Sequence, residues 1–215
     1  MSAAFIGIYG GTFDPVHLGH VSAARDIQEK LSLDTVQMVL SANPPHRKKP
    51  VLSSEDRFKL LTLALNEETG LQADDCEMQR QGPSYMVDTL RYYRQQKPKA
   101  SLVLILGMEA FNGLQSWHEW ENIIGLAHIV VTDRAGFDNV LKPALKEYVT
   151  PYLTDDKAQL KKLTHGKICY QPVDSVAVSA TDIRQQIAEG KSVQHMLAES
   201  CWKMIQQQKF YTPLN

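Results

Sequence analysis

Along this chain, short unbroken apolar runs alternate with stretches whose apolar residues recur three and four positions apart. The first run, Phe5-Ile6-Gly7-Ile8-Tyr9, predicts a short buried strand; Val21, Ala24, Ile27 and Leu31, with Gln28 among them, then mark one face of a helix. A second run at 35–40 completes a strand–helix–strand unit, whose crossover is expected to be right-handed with parallel strands. The runs at 101–107 and 127–132 are apolar without alternation, the mark of strands covered on both faces of a parallel sheet. Residues 167–173 predict the last strand, and 71–80 an irregular one carrying exposed acids.

Helix signals fill the gaps. Ser53 with Asp56 three residues on predicts a cap opening a helix through about Glu68, with Phe58, Leu61 and Leu65 inward. The turn at 82–85 starts another, with Val87, Leu90 and Tyr93 on its inner face. Ser179 predicts an N-cap with Asp182 at the third helical position and Gly190 at the helix end. Residues 192–211 predict a terminal helix, while 139–165 give only mixed helix and loop. Strands alternating with helices define an α/β protein with a doubly wound parallel sheet. Its 215 residues suit one domain, 1–215, with a small C-terminal helical portion from about 179.

Composition narrows the partners. A formal net charge of −1 supplies no global field toward nucleic acid or an anionic membrane, so neither is expected, and a polyanion must meet local donors. No apolar run approaches the ~18 residues of a membrane span, and the N-terminus lacks a basic-then-apolar leader pattern. Cys76, Cys169 and Cys201 are widely spaced, with no Cys-x-x-Cys, as suits a reducing cytoplasm. The expected state is a cytoplasmic monomer or small homo-oligomer.

The chemistry concentrates at residues 10–20, Gly10-Gly11-Thr12-Phe13-Asp14-Pro15-Val16-His17-Leu18-Gly19-His20. The order strand, glycine turn, helix aims backbone N–H groups and a helix N-terminus at one spot, where an anion is held. Gly10 and Gly11 permit a sharp exit from the strand, and Pro15 stiffens the loop. His17 and His20, three apart at the helix start, place both imidazoles on one face, and Gly19 leaves that face bare for a ligand. Two such donors suit a phosphate whose charge grows under attack. Capping or surface histidines, and a zinc pair with no third ligand at the right spacing, are the competing readings. Residues 41–50 carry three prolines and His46, Arg47, Lys48 and Lys49 beyond the second strand, where open α/β sheets bind ligands. Lys48 and Lys49 read as solvated. Trp117 and Trp120 follow the strand at 101–107, and a flat aromatic there can stack on a cationic ring. Thr181 and Arg184, three apart, share a face of the first turn after Ser179.

The motif at 10–20, with its His17-Leu18-Gly19-His20 element, closely resembles the signature of the nucleotidyltransferase superfamily, and within it the bacterial nicotinate-nucleotide adenylyltransferases. The resemblance runs over nearly the whole chain, and implies a Rossmann-like adenylyltransferase fold. It implies transfer of the adenylyl group of ATP to nicotinate mononucleotide, with Mg2+ carried on the nucleotide. His17, His20 and Arg184 would be catalytic. Gly10, Gly11, Thr12, Phe13, Gly19, Gly107, Glu109 and Arg134 would bind ATP together with Ser179, Thr181 and Ile183. Thr12, Phe13, His46, Arg47, Ser84, Tyr85, Met86, Trp117 and His118 would bind the acceptor, with Trp117 rather than Trp120 stacking on the pyridine ring. Four positions depart from the family pattern: Leu40 and Ala135 for Pro, Met86 for Thr, and Glu109 for Asp. The rivals are the same chemistry on nicotinamide mononucleotide, phosphopantetheine, flavin mononucleotide or a sugar- or alcohol-phosphate; a non-catalytic nucleotide sensor; and an aminoacyl-tRNA synthetase-like protein, disfavoured by the short chain.

Overall fold

The computed structural model describes residues 3–45, 49–133, 141–174 and 176–213. Among these residues, six strands form one all-parallel sheet: β1 (Phe5–Gly11), β2 (Thr35–Leu40), β3 (Leu71–Asp74), β4 (Ser101–Gly107), β5 (His128–Asp133) and β6 (Ile168–Pro172). Their order is β3-β2-β1-β4-β5-β6, so the direction of winding reverses between β1 and β4. That switch point opens a crevice at the carboxyl ends of the two strands, where such sheets bind ligands.

Because side chains alternate along a strand, the sheet feeds two cores. Phe5, Val36, Met38, Val103 and Ile105 face α1 (Leu18–Leu31), α2 (Ser54–Leu65), α7 (Ala180–Ala188) and α8 (Glu199–Gln208). Ile6, Ile8, Leu102, Leu104 and Ile129 face α3 (Met86–Gln96), α4 (Met108–Asn112) and α5 (Pro143–Val149). A short α6 (Ala158–Lys162) adds Leu160 to the first core. This is the doubly wound α/β architecture that the apolar runs predict. No helix among the described residues is long and apolar enough to cross a membrane.

The predicted caps form: the Asp56 amide donates to Ser53 Oγ at 3.1 Å and the Asp182 amide to Ser179 Oγ at 3.1 Å. Gly190 ends α7 in the left-handed region, at φ +74°.

Three elements differ from expectation. β3 stops at Asp74 instead of running to 80, because the Asp74 carboxylate accepts the Cys76 amide at 2.7 Å and turns the chain. α2 ends at Leu65, and its buried stripe is Arg57, Leu60, Leu61, Ala64 and Leu65, with Phe58 only half-buried. The terminal helix is the shorter α8. A 3-10 turn at Gln194–Met196 precedes it, and Lys209 at φ +53° caps it, with the Phe210 amide returning to the Ile205 carbonyl at 3.0 Å.

Candidate active site

Over the carboxyl ends of β1, β2 and β4 lies a cavity of about 780 Å³. Its floor is the end of β1 at Gly10 and Gly11, which stay paired with β2 instead of making the sharp exit themselves, and the turn Thr12-Phe13-Asp14, where Phe13 takes the positive φ. One wall is His20 with Thr181 and Arg184, and the opposite wall carries Ser84, Tyr85, Met86, Trp117 and His118. Gly107 and Glu109, at the end of β4 and the start of α4, close the remaining side. A second hollow of about 650 Å³, between the end of α7 and α8, holds none of the motif residues.

The phosphate-motif end is held from within. His17 caps α1 and is buried, and His20 stacks on it with ring centroids 3.6 Å apart and planes 22° from parallel. Burial pushes the His17 imidazole down from 6.5 to about 4, so it is neutral at pH 7. The His17 amide donates to His20 Nδ1 at 3.3 Å. With Nδ1 accepting, a neutral His20 carries its proton on Nε2 and is a donor there. Phe13 meets the His20 ring edge-on at 5.1 Å and sits in the left-handed region at φ +47°, an uncommon conformation for a non-glycine residue.

Arg184, on the first turns of α7, reaches across to this loop. Its Nη1 donates to the Asp14 carbonyl at 2.6 Å and its Nη2 to Thr181 Oγ1 at 3.3 Å. The two helix starts thus meet on one wall, His20 from α1 and Thr181 with Arg184 from α7, the kind of groups that can hold an anion.

The opposite end is aromatic and lightly anchored. Tyr85 stacks on His118 with centroids 4.2 Å apart, and His118 lies 3.3 Å from Glu119, which Arg91 also engages. Trp117 faces the cavity, whereas Trp120 packs on Tyr148 at 4.4 Å. Ser84 is tied to the β2 loop: its amide donates to the Asn43 carbonyl, and the Asn43 amide donates to Ser84 Oγ, both at 2.9 Å. Met86 opens α3, and its Cε stands 2.5 Å from where a Cβ on residue 10 would lie. Glycine at position 10 therefore makes room for the methionine at the departing position.

Some predicted residues lie behind the cavity wall. His17 sits beneath His20, Ser179 caps α7, and Ile183 is in the core. The space over Gly19 is not open to a ligand: a Cβ there would stand 2.8 Å from the Val176 carbonyl, so the glycine admits the chain's own backbone. His46, Arg47 and Arg134 lie outside the described residues. Lys49, read as solvated, borders the cavity.

Sequence reasoning missed Glu77, Arg57 and Tyr211. Glu77 is buried beside the aromatic end, paired with Thr89 and Arg80. Arg57, 1% exposed, binds the carbonyls of Thr12, Ser41, Ala42 and Leu52. Its position in the buried stripe of a helix was the available signal.

Residues 8–186 match the cytidylyltransferase-like family, which defines a nucleotidyltransferase-type domain. Among curated proteins, one named "probable nicotinate-nucleotide adenylyltransferase" from Methylococcus capsulatus is 39% identical over 96% of this chain and 99% of its own. Another of that name, from Chromohalobacter salexigens, is 41% identical over 92% of this chain and 91% of its own. The chain belongs to the nicotinate-nucleotide adenylyltransferase family. Among solved structures, Plasmodium falciparum nicotinic acid mononucleotide adenylyltransferase complexed with NaAD shares the fold, with a TM-score of 0.75 at 14% identity over 97% of both chains.

Proposed function

We infer that this chain transfers the adenylyl group of ATP to nicotinate mononucleotide, forming nicotinate adenine dinucleotide and pyrophosphate, as a step of NAD biosynthesis. The observation that carries this reading is one cavity lined by His20, Thr181 and Arg184 from two helix starts and by stacked aromatics opposite. A phosphate oxygen of the mononucleotide attacks the α-phosphorus of ATP in line; the new P–O bond forms as the bond to the bridging oxygen breaks and pyrophosphate leaves. The attacking phosphate is already anionic, so the protein supplies alignment and charge stabilisation and needs no covalent intermediate.

In this reading, His20 Nε2 donates to an oxygen of the reacting phosphorus, and buried neutral His17 keeps the His20 ring in place by stacking. The turn amides at Thr12 and Phe13 position the attacking phosphate. Thr181 and Arg184 hold the β- and γ-phosphates, the guanidinium already oriented by the Asp14 carbonyl. Trp117, Tyr85 and His118 form the acceptor's ring site. Magnesium enters on ATP and offsets its phosphate charge, and the hydroxyl, imidazole and guanidinium groups at that end suit phosphate oxygens.

The first test follows pyrophosphate release from ATP and magnesium with a panel of acceptors: nicotinate and nicotinamide mononucleotides, phosphopantetheine and flavin mononucleotide. Release with nicotinate mononucleotide above all others is expected; strong release with phosphopantetheine alone would overturn the acceptor assignment.

A further inference from the structure

Asp14 is buried, and its side chain takes no part in the reaction described above. Three chain segments converge on it. Its carboxylate accepts the Val51 amide at 2.7 Å, the Leu52 amide at 3.4 Å and the Tyr211 hydroxyl at 2.8 Å, while its carbonyl accepts Arg184 Nη1 at 2.6 Å. Arg57 works alongside, joining the carbonyls of Thr12, Ser41 and Leu52. The floor of the cavity, both ends of the loop after β2 and the cation at the start of α7 are thus fixed to one buried centre. Tyr211 comes to it from beyond α8, itself docked on α2 by Cys201 Sγ to the Leu60 carbonyl at 3.2 Å and Ser200 Oγ to the Leu63 carbonyl at 3.1 Å.

Backbone conformation marks the same point. Phe13, next to Asp14, and Tyr211 both occupy the left-handed region, at φ +47° and +63°. Few buried non-glycine residues adopt it, and its cost is offset by the packing and hydrogen bonds around them. We propose that Tyr211, acting through the Asp14 carboxylate, is a positioning residue that holds the phosphate-facing turn and Arg184 in register for adenylyl transfer. Burial, and then the neighbouring carboxylate, raise the Tyr211 hydroxyl above its ordinary range, so it remains a donor. Without that hydroxyl, Asp14 Oδ1 keeps only the long bond from Leu52, and the carboxylate can turn about its bond to Val51. The peptide whose carbonyl orients Arg184 then loses its fixed reference.

The proposal rests on the adenylyl-transfer reading for its kinetic arm only. The test is Tyr211→Phe, which keeps the ring and removes the hydroxyl, with Thr212→Ala as a neighbouring control outside the cluster. Initial rates give kcat and KM for both substrates, and hydrogen–deuterium exchange gives local opening. The expected result is a kcat lower by roughly ten-fold with a much smaller change in either KM, because misalignment of reacting groups is costly. Deuterium uptake rises at 50–53 and around residues 11–14 and stays unchanged in α2, α8 and the strands, while Thr212→Ala matches the parent. Parent-like kinetics in Tyr211→Phe overturn the proposal, whatever the exchange shows. So does a rate loss accompanied by faster exchange throughout α2 and α8, which would make the C-terminal segment a general brace. A parent inactive on the mononucleotide would sink the functional reading, and uptake at 50–53 would still decide whether Tyr211 holds the loop.

Discussion

At the phosphate-motif end of the cavity polar groups are held by other polar groups; at the ring end aromatic side chains rest on one another near solvent. His20 is fixed by a backbone amide and by the buried His17 ring, and Arg184 by a carbonyl. Opposite, His118 is exposed and Tyr85 half-buried, joined chiefly by stacking. Reaction chemistry needs groups already in place when charge develops, because their reorganisation would add to the barrier. Recognition of a flat ring tolerates adjustment. Substitution should therefore cost turnover at the first end and acceptor affinity at the second.

The largest effect is expected from His20→Ala. Loss of an oxygen-directed donor costs ~10²–10³ in kcat, with KM much less affected. Steady-state rates on the folded variant measure this, and near-parent turnover would remove His20 from the chemistry.

The next effect contrasts buried histidines with the exposed His118. Burial lowers both His17 and His128 from 6.5 to about 4, in His128 against the opposing pull of the Leu163 carbonyl 3.0 Å from Nε2, while Nδ1 accepts the Lys167 amide at 3.1 Å. The unfolded chain takes up their protons near pH 6.5 and the native chain does not until about pH 4. Their contribution is thus complete above pH 6.5 and erodes as pH falls toward 4, by up to ~1.4 kcal/mol per unit and about 3 kcal/mol in all for each. Denaturant midpoints between pH 7.5 and 5 should fall accordingly, with a shallower slope in His128→Gln. A flat profile in the parent would contradict the burial argument.

A smaller effect belongs to the ring end. Trp117→Ala should raise KM for the mononucleotide by about two- to thirty-fold, the value of ~0.5–2 kcal/mol of cation–π stacking, and leave KM for ATP nearly unchanged. Equal weakening of both substrates would mark the indole as scaffold.

The same contrast explains what could be read from sequence. Strands β1, β2, β4, β5 and β6 and the caps at Ser53 and Ser179 are local patterns, complete within a few residues, and they form as expected, whereas Gly10 and Gly11 stay paired in β1 and the sharp exit falls on Phe13. Asp14 and Tyr211 act across 37 to 197 positions and Arg57 reaches Thr12 across 45, and no local periodicity encodes such pairings. The close approach of Val176 over Gly19 is equally non-local, so a glycine read as room for a ligand proves to be room for backbone. β3 and the terminal helix ended early because a side-chain turn at Asp74 and a left-handed cap at Lys209 outweighed the apolar pattern around them.

The smallest expected effect tests the ring end at its departing residue. Met86 stands at the first position of α3, where the opening amides of a helix have no intrahelical acceptor. A carboxylate beside them accepts at both oxygens, whereas an amide turns its NH2 toward one donor and leaves that donor unpaired. An unsatisfied buried donor costs ~1–3 kcal/mol, a preference of about ten- to a hundred-fold or more for nicotinate over nicotinamide mononucleotide. If the helix amides are the donors, that preference resides in the backbone, and threonine would carry the same N–H. The methionine side chain is directed elsewhere, its Cε over Gly10 at the base of the cavity. Met86→Thr should accordingly shift the ratio of kcat/KM for the two mononucleotides by less than about threefold, well inside that preference. Comparable values for acid and amide in the parent would sink the backbone argument. A preference that emerged only with threonine would assign the discrimination to the side chain, and would make the ring end as dependent on a fixed polar group as the phosphate end.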